Sequence, residues 1–387
     1  MIFSLSSQNA LDYAIKYKLC PQEENILEPV VPIDAKNFNI LLSLQNGSKL
    51  LIKQERQIGE KKTAGEFLNE WRNHQLFKNF PELNFIRLLV SKVLHFDEKN
   101  SIIVFEYLDN YLDLSKFYVE NNTFIVKIAE ALGRHISLIH QATFKHQEYK
   151  DFLAINTKIS SHNPVFSVTS NLENIKPEVF GTYPRDGIKF LALYQRYDSL
   201  GKAIAELSEA FQPSCLTHND LKLNNILLHE DWESILCQTE PVEDSVIRLI
   251  DWERGTWGDP ASDLGTVVAS YIQFWLNSMF VDKEIPIVQT LHLARTPLDL
   301  LQPSIRAVVE AYLTSFPEIL EFRPDFFRRV VQFAGLDLIQ KLQAMIQHQK
   351  TFGNIGIFTL QIAKSLLCQP EKSMSTIFGD SGKQLIS

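Results

Sequence analysis

With 387 residues, 45% of them hydrophobic and 22% charged, the chain is long enough for two or three packing units and a large core, which excludes wholesale disorder. Lysine and arginine number 38 against 46 aspartate and glutamate, a net charge of −8. No nucleic-acid partner and no anionic membrane surface is therefore expected.

The first twenty residues lack a basic segment followed by an apolar one, so no signal peptide is expected and the chain reads as cytoplasmic. Cys20, Cys215, Cys237 and Cys368 are widely spread, without metal-ligand or C-x-x-C spacing, which points to thiols in a reducing compartment. Residues 8–19 read as a short amphipathic helix. In residues 37–55 two apolar runs flank Gln45-Asn46-Gly47-Ser48, and an Asn-Gly pair in that place predicts a hairpin, because both residues tolerate positive φ. A charged stretch, 54–62, leads to a helix over 63–79. Beyond Pro81 the pattern returns to strands, at 92–96 and 101–107, around Asp97-Glu98-Lys99-Asn100.

After Asp109 the periodicity becomes helical. Residues 124–141 repeat apolar side chains every three or four positions, as a helix with one buried face requires. Residues 150–187 read as an irregular connection, 188–211 as helix, and 262–367 as mainly helix. The uncharged run Leu264–Val281 contains Thr266, Ser270, Gln273, Asn277 and Ser278, so it suits a buried helix better than a bilayer. Between the helical regions lies a compact strand-and-loop region, 214–260, interrupted by an acidic surface loop over 229–244. The tail after Gln369 reads as polar and mobile.

The densest chemistry lies in CLTHNDLKLNNILL (215–228) and VIRLIDWERGTWGDPASDLG (246–265). Asp220, Asn225 and Asp251 supply one carboxylate to orient a hydroxyl, plus a carboxylate and an amide oxygen to hold Mg²⁺ against a nucleotide. Lys222 adds an ammonium that can neutralise charge on a transferring phosphoryl group. Glu253 offers a further carboxylate for metal. Asp259 and Asp263 suit helix capping and loop bracing, and Trp252, Trp257 and Trp275 suit core packing.

His218-Asn219-Asp220 with Asn225 resembles the H-x-D-x-x-x-x-N catalytic loop of protein kinases and of the aminoglycoside phosphotransferase and choline kinase family. Ile250-Asp251-Trp252-Glu253 resembles the metal-binding motif of that family. Gly258-Asp259-Pro260 with Asp263-Leu264-Gly265 resembles its G-D-P-x-x-D-L segment, and residues 132–143 the helix before the catalytic loop. The resemblance implies an α+β fold: a bilobal, protein-kinase-like chain with a small antiparallel-sheet N-lobe over 1–107 and a mostly helical C-lobe over 108–387. It implies ATP and Mg²⁺ as cofactors. Lys53 would contact phosphates and Glu70 would be its helical ion-pair partner, with Glu66 the competing choice. Phe105 would back the pocket, and backbone groups of Glu106 and Leu108 would meet adenine. Asp220 would be catalytic, and Asn225, Asp251 and Glu253 would hold metal; Lys222 departs from many small-molecule kinases of the group and matches Ser/Thr protein kinases. His218 would brace the loop.

The sequence departs from the pattern in having no G-x-G-x-x-G turn; the corresponding place is residues 33–38, where Asn37 is the matching phosphate-loop residue. The acceptor implied is a hydroxylated small molecule of the aminoglycoside or choline-like class. One alternative is Ser or Thr of a precursor peptide, with a partner lyase to eliminate the phosphate. Another is a silent kinase-fold scaffold.

Overall fold

A computed structural model of the chain describes residues 3–33, 36–57, 63–154, 172, 184–237, 245–279 and 293–379. Gly47 adopts φ 84°, and Asn46 Oδ1 accepts the Ser48 N–H at 2.9 Å, closing the turn between β2 (Phe38–Ser43) and β3 (Lys49–Gln54). With β1 (Val31–Ile33), β4 (Val93–Asp97) and β5 (Ile102–Glu106) they form an antiparallel sheet of order β1-β2-β3-β5-β4.

The period-two alternation of β3 divides the sheet between two cores. Leu50 and Ile52 pack with Ala10, Tyr13 and Ala14, all three on the short helix α1 (Ala10–Lys16). Leu51 faces the other way, onto Phe67, Ile103 and Phe105; Phe67 belongs to α2 (Glu66–Asn79). Lys53, two residues along β3 from Leu51, shares that second face. The N-terminus of α2 leaves amide groups without helical partners. Glu55, just beyond β3, accepts from the N–H of Gly65 at 2.8 Å and of Glu66 at 3.2 Å, so one buried side chain ties strand to helix.

Contacts divide the described residues into two compact units. The first gathers those of Met1–Leu114, Gln147–Ser160 and Asn225–Thr256; the second gathers those of Ser115–His146, Ser161–Asn224 and Trp257–Ser387. Described residues of 147–160 and 225–256 thus group with the N-terminal sheet. Helix Gln147–Ala154 does so through side chains, with the Tyr149 hydroxyl donating to Glu82 at 2.6 Å, and 225–256 through backbone pairing. A three-stranded sheet joins β6 (Tyr111–Asp113) to β8 (Ile226–His229) and β9 (Ile247–Leu249), and the Ser91 N–H donates to the Leu249 carbonyl at 3.2 Å.

Among the described residues the second unit is mainly helical and contains the short strand β7 (Cys215–Thr217). Helix Val126–Thr143 packs on Leu298–Ser315, Pro260–Asn277 on Phe326–Gln349, and Phe326–Gln349 on Asn354–Cys368. Pro260–Asn277 is the buried helix expected over 264–281, and no helix among the described residues is long and apolar enough to cross a membrane.

Several local expectations need correction. Pro81–Leu88 forms a 3-10 helix before the strands resume. The 150–187 connection begins inside helix Gln147–Ala154 and ends inside Arg185–Gln195; most of what lies between is outside the described residues. The acidic 229–244 loop contains helix Trp232–Cys237, and residues 238–244 lie outside the described residues. The tail after Gln369 is a helix, Pro370–Phe378, held by Met374, Ile377 and Phe378, all buried; its apolar residues recur every three or four positions. Residues 380–387 are outside the described residues.

Candidate active site

In the first unit the antiparallel register Ile226↔Leu249 sets the geometry. It brings Asn225 and Asp251 to the same sheet end, where the Ile250 N–H donates to the Asn225 carbonyl at 3.0 Å. Asp251 leaves β9 in a left-handed conformation, φ 63°, ψ 58°, and its Oδ1 accepts from Lys53 Nζ at 2.5 Å. Lys53 also lies 5.1 Å from the Phe105 ring centroid, so an aromatic face and a carboxylate fix one ammonium.

Around this pair opens a cavity of about 230 Å³. Lys53, Glu70, Phe105, Glu106, Leu108 and Asp251 line it, so six of the sequence candidates meet in one place. Sequence reasoning missed Ser91, Tyr111 and Asp113 in the same wall, since nothing in their local pattern separates them from ordinary loop and strand residues. Tyr107 N–H and Glu106 N–H are spent on the Lys49 and Lys92 carbonyls, at 3.0 Å each. The Leu108 N–H has no partner among the described residues, which suits an incoming acceptor atom.

Three carboxylates surround the one lysine. Burial works against the Lys53 charge, but Asp251, Glu70 and Glu253 outweigh it and hold its pKa above the ordinary lysine range. Burial pushes Glu70 well above the carboxylate range, with Lys53 opposing and Asp251 and Glu253 reinforcing the shift. Burial, then Glu66, pushes Glu253 up to about 7. No contact within salt-bridge distance joins Lys53 to Glu70. Glu70 Oε1 accepts from the Trp252 N–H at 3.3 Å, and its Oε2 is buried without a hydrogen-bond partner. Glu66, the competing choice, pairs with Lys36 at 2.5 Å.

This surplus of negative charge fits a bound cation. Oxygen donors from Asp251, Asn225 and Glu253 have the hard character that Mg²⁺ takes, and Mg²⁺ usually uses one or two carboxylates with phosphates and waters completing its shell. Among the described residues no cluster of three or more His, Cys, Asp or Glu forms a metal cage. Asn37 is buried, and its Oδ1 accepts from the Arg56 N–H at 3.3 Å, which anchors the β1–β2 turn to the end of β3.

Asp220 and Lys222 belong to the second unit, where Lys222 Nζ stands 3.0 Å from Asp220 Oδ2. The loop that carries them is held from below. Asp263 accepts from the N–H of His218 at 2.6 Å and of Asn219 at 2.8 Å, and from His140 Nε2 at 3.2 Å. Those bonds outweigh the effect of burial and hold the Asp263 pKa below the usual aspartate range. Asn219 takes φ 60°, and His218 Nδ1 accepts the Asp220 N–H at 3.3 Å. Asp259 caps its helix through the Ala261 N–H at 3.0 Å and pairs with the buried Arg323. Asp259 and Asp263 therefore cap and brace, and Trp252 and Trp275 are core residues.

Among curated proteins, a 69-residue stretch is 38% identical to the acyl-CoA dehydrogenase family member 11 of Rattus norvegicus. The match takes in 18% of this chain and spans only 7% of the length of that protein, so nothing of its activity carries over. Among solved structures, an ethanolamine kinase of Plasmodium vivax is similar over 91% of this chain and 86% of its own, with 17% identity and a TM-score of 0.57. An amicoumacin kinase in complex with AMP-PNP, Ca²⁺ and Ami is similar over 94% and 96%, with 13% identity and a TM-score of 0.50. Identities this low show a shared fold, the protein-kinase-like one. The model of the Phosphotransferase enzyme family matches residues 82–285, more than half of the chain. The chain belongs to the phosphotransferase enzyme family.

Proposed function

We propose that the chain transfers the γ-phosphoryl group of ATP to a hydroxyl of a small-molecule acceptor of the aminoglycoside or choline-like class. The observation that carries this reading is the Lys53–Asp251 pair set in a cavity beside the Glu106–Leu108 backbone. The amicoumacin kinase of the same fold, in complex with AMP-PNP and Ca²⁺, is a precedent for the cofactors.

Phe105 would back the adenine pocket and the Leu108 N–H would serve adenine as a donor, while Lys53 would hold the phosphates. Asn225, Asp251 and Glu253 would hold Mg²⁺, which would supply charge neutralisation for the phosphate oxygens. Asp220 orients the acceptor hydroxyl and takes its proton as the new P–O bond forms and the bond to the ADP oxygen breaks. Lys222 keeps the Asp220 carboxylate in place and adds positive charge. Little covalent chemistry is left for the protein, so rate comes from positioning and charge.

The test is incubation with ATP and a panel of hydroxylated amines, read by mass spectrometry for the gain of one phosphoryl group. Wild type should phosphorylate at least one acceptor, and Asp220→Asn should lose at least a hundredfold in kcat, the scale of a lost general base. Equal turnover by Asp220→Asn would overturn its role. Transfer only to a Ser or Thr peptide would replace the acceptor class.

A further inference from the structure

Glu70 is not the only side chain that α2 directs at the segment after Asp251. Asn69 and Asn73 stand one turn apart on the same helix, 4% and 0% exposed. Asn69 Nδ2 donates to the carbonyls of Glu253 at 3.0 Å and Gly255 at 2.8 Å. Asn73 Nδ2 donates to those of Trp252 at 2.9 Å and Gly255 at 3.1 Å. Glu70 Oε1, between them, accepts the Trp252 N–H. One helix thus grips the backbone from Trp252 to Gly255.

Two further facts give the grip a purpose. Asparagine is a poor helix former, and burying its amide costs free energy unless hydrogen bonds offset it. Asn73 Oδ1 has no partner, so this residue serves the interface as a donor. Asp251, next to the gripped segment, keeps a left-handed backbone, φ 63°, which a residue with a Cβ holds at a cost that its surroundings must offset. Gly255 leaves room for the arrangement: a Cβ there would stand 2.5 Å from Asn73 Nδ2.

We infer that Asn69 and Asn73 are positioning residues that hold Asp251 in the conformation used for the divalent cation. The inference rests on the phosphotransfer reading, in which Asp251 is a metal ligand. It makes α2, and not only its Glu70, part of the metal end of the site.

Two readouts test it on the full chain: hydrogen exchange of the Trp252 and Gly255 amides without nucleotide, and calorimetry of ATP binding with and without Mg²⁺. Wild type is compared with Asn69→Ala, Asn73→Ala and Gly255→Ala, each checked by thermal melting. The variants should exchange faster at both amides and lose about tenfold in the Mg²⁺-dependent part of ATP affinity, the scale seen when partners of a ligand are removed. ATP binding without Mg²⁺ should be unchanged. Variants that melt lower yet keep the full wild-type Mg²⁺ dependence would overturn the inference and leave the asparagines as packing. If Asn73→Ala does not fold, Asn69→Ala and Gly255→Ala carry the comparison. A wild type with no Mg²⁺-dependent ATP binding would overturn the phosphotransfer reading, and the inference with it.

Discussion

Lys53 stands among Asp251, Glu70 and Glu253, so its removal should cost stability as well as nucleotide contact. With its side chain 12% exposed and that of Asp251 33% exposed, the pair is mostly buried. Stripping one partner from a fully buried pair costs about 3–5 kcal/mol, and partial exposure lowers that here. Lys53→Met should therefore lose about 2 kcal/mol at pH 8, measured by urea unfolding. Glu70 and Glu253 ionise above the ordinary carboxylate range in the folded chain and would ionise later still without the lysine. Below pH 5 both are protonated, so the gap between variant and wild type should narrow as pH falls. A gap that widens toward acid would contradict this charge balance.

His74 offers a cleaner titration. It is buried edge-on against Phe77 and Phe105, its Nε2 lacks a partner, and burial lowers its pKa to about 3. An unfolded chain takes up this proton near pH 6.5, whereas the folded chain refuses it until about pH 3. The unfolded state binds more protons throughout that window, so stability rises with pH across it. Between pH 6.5 and 5 this one group should remove about 1.5 kcal/mol. His74→Leu should flatten the acid limb by that amount, and an unchanged slope would contradict the assignment.

Among the elements, those with local signals were legible and those dictated by tertiary contact were not. The hairpin followed from Asn46-Gly47, and Val126–Thr143 from its apolar spacing. The Pro370–Phe378 helix was missed because its polar composition masks three apolar side chains that only packing makes decisive. Phe378 is fully buried with its ring 4.8 Å from that of Phe327. Phe378→Ala should cost about 3 kcal/mol by chemical unfolding, the usual scale for a large cavity in a core. A cost below half a kcal/mol would return this segment to the status of a tail. The grip of Asn69 and Asn73 was hidden for a related reason: two asparagines on a helix read as a solvated face until their burial is known.

For the molecule as a whole, the motif residues were legible because the motif fixes residue type and spacing together. Asp220, Asn225 and Asp251 stood out in the chain; the sequence favoured Glu70 over Glu66, and the structure buries Glu70 and pairs Glu66 with Lys36, without an ion pair between Lys53 and Glu70. The walls of the cavity, Ser91, Tyr111 and Asp113, come from register and pairing, which no local pattern encodes. A metal-dependent ATP site built on Asp251 can be read by titration calorimetry of ATP with and without Mg²⁺, on wild type and Asp251→Asn. Micromolar binding that depends on Mg²⁺ in wild type and weakens at least tenfold in the variant is the expected result. Binding of ATP that is the same with and without Mg²⁺, and the same in both proteins, would contradict it.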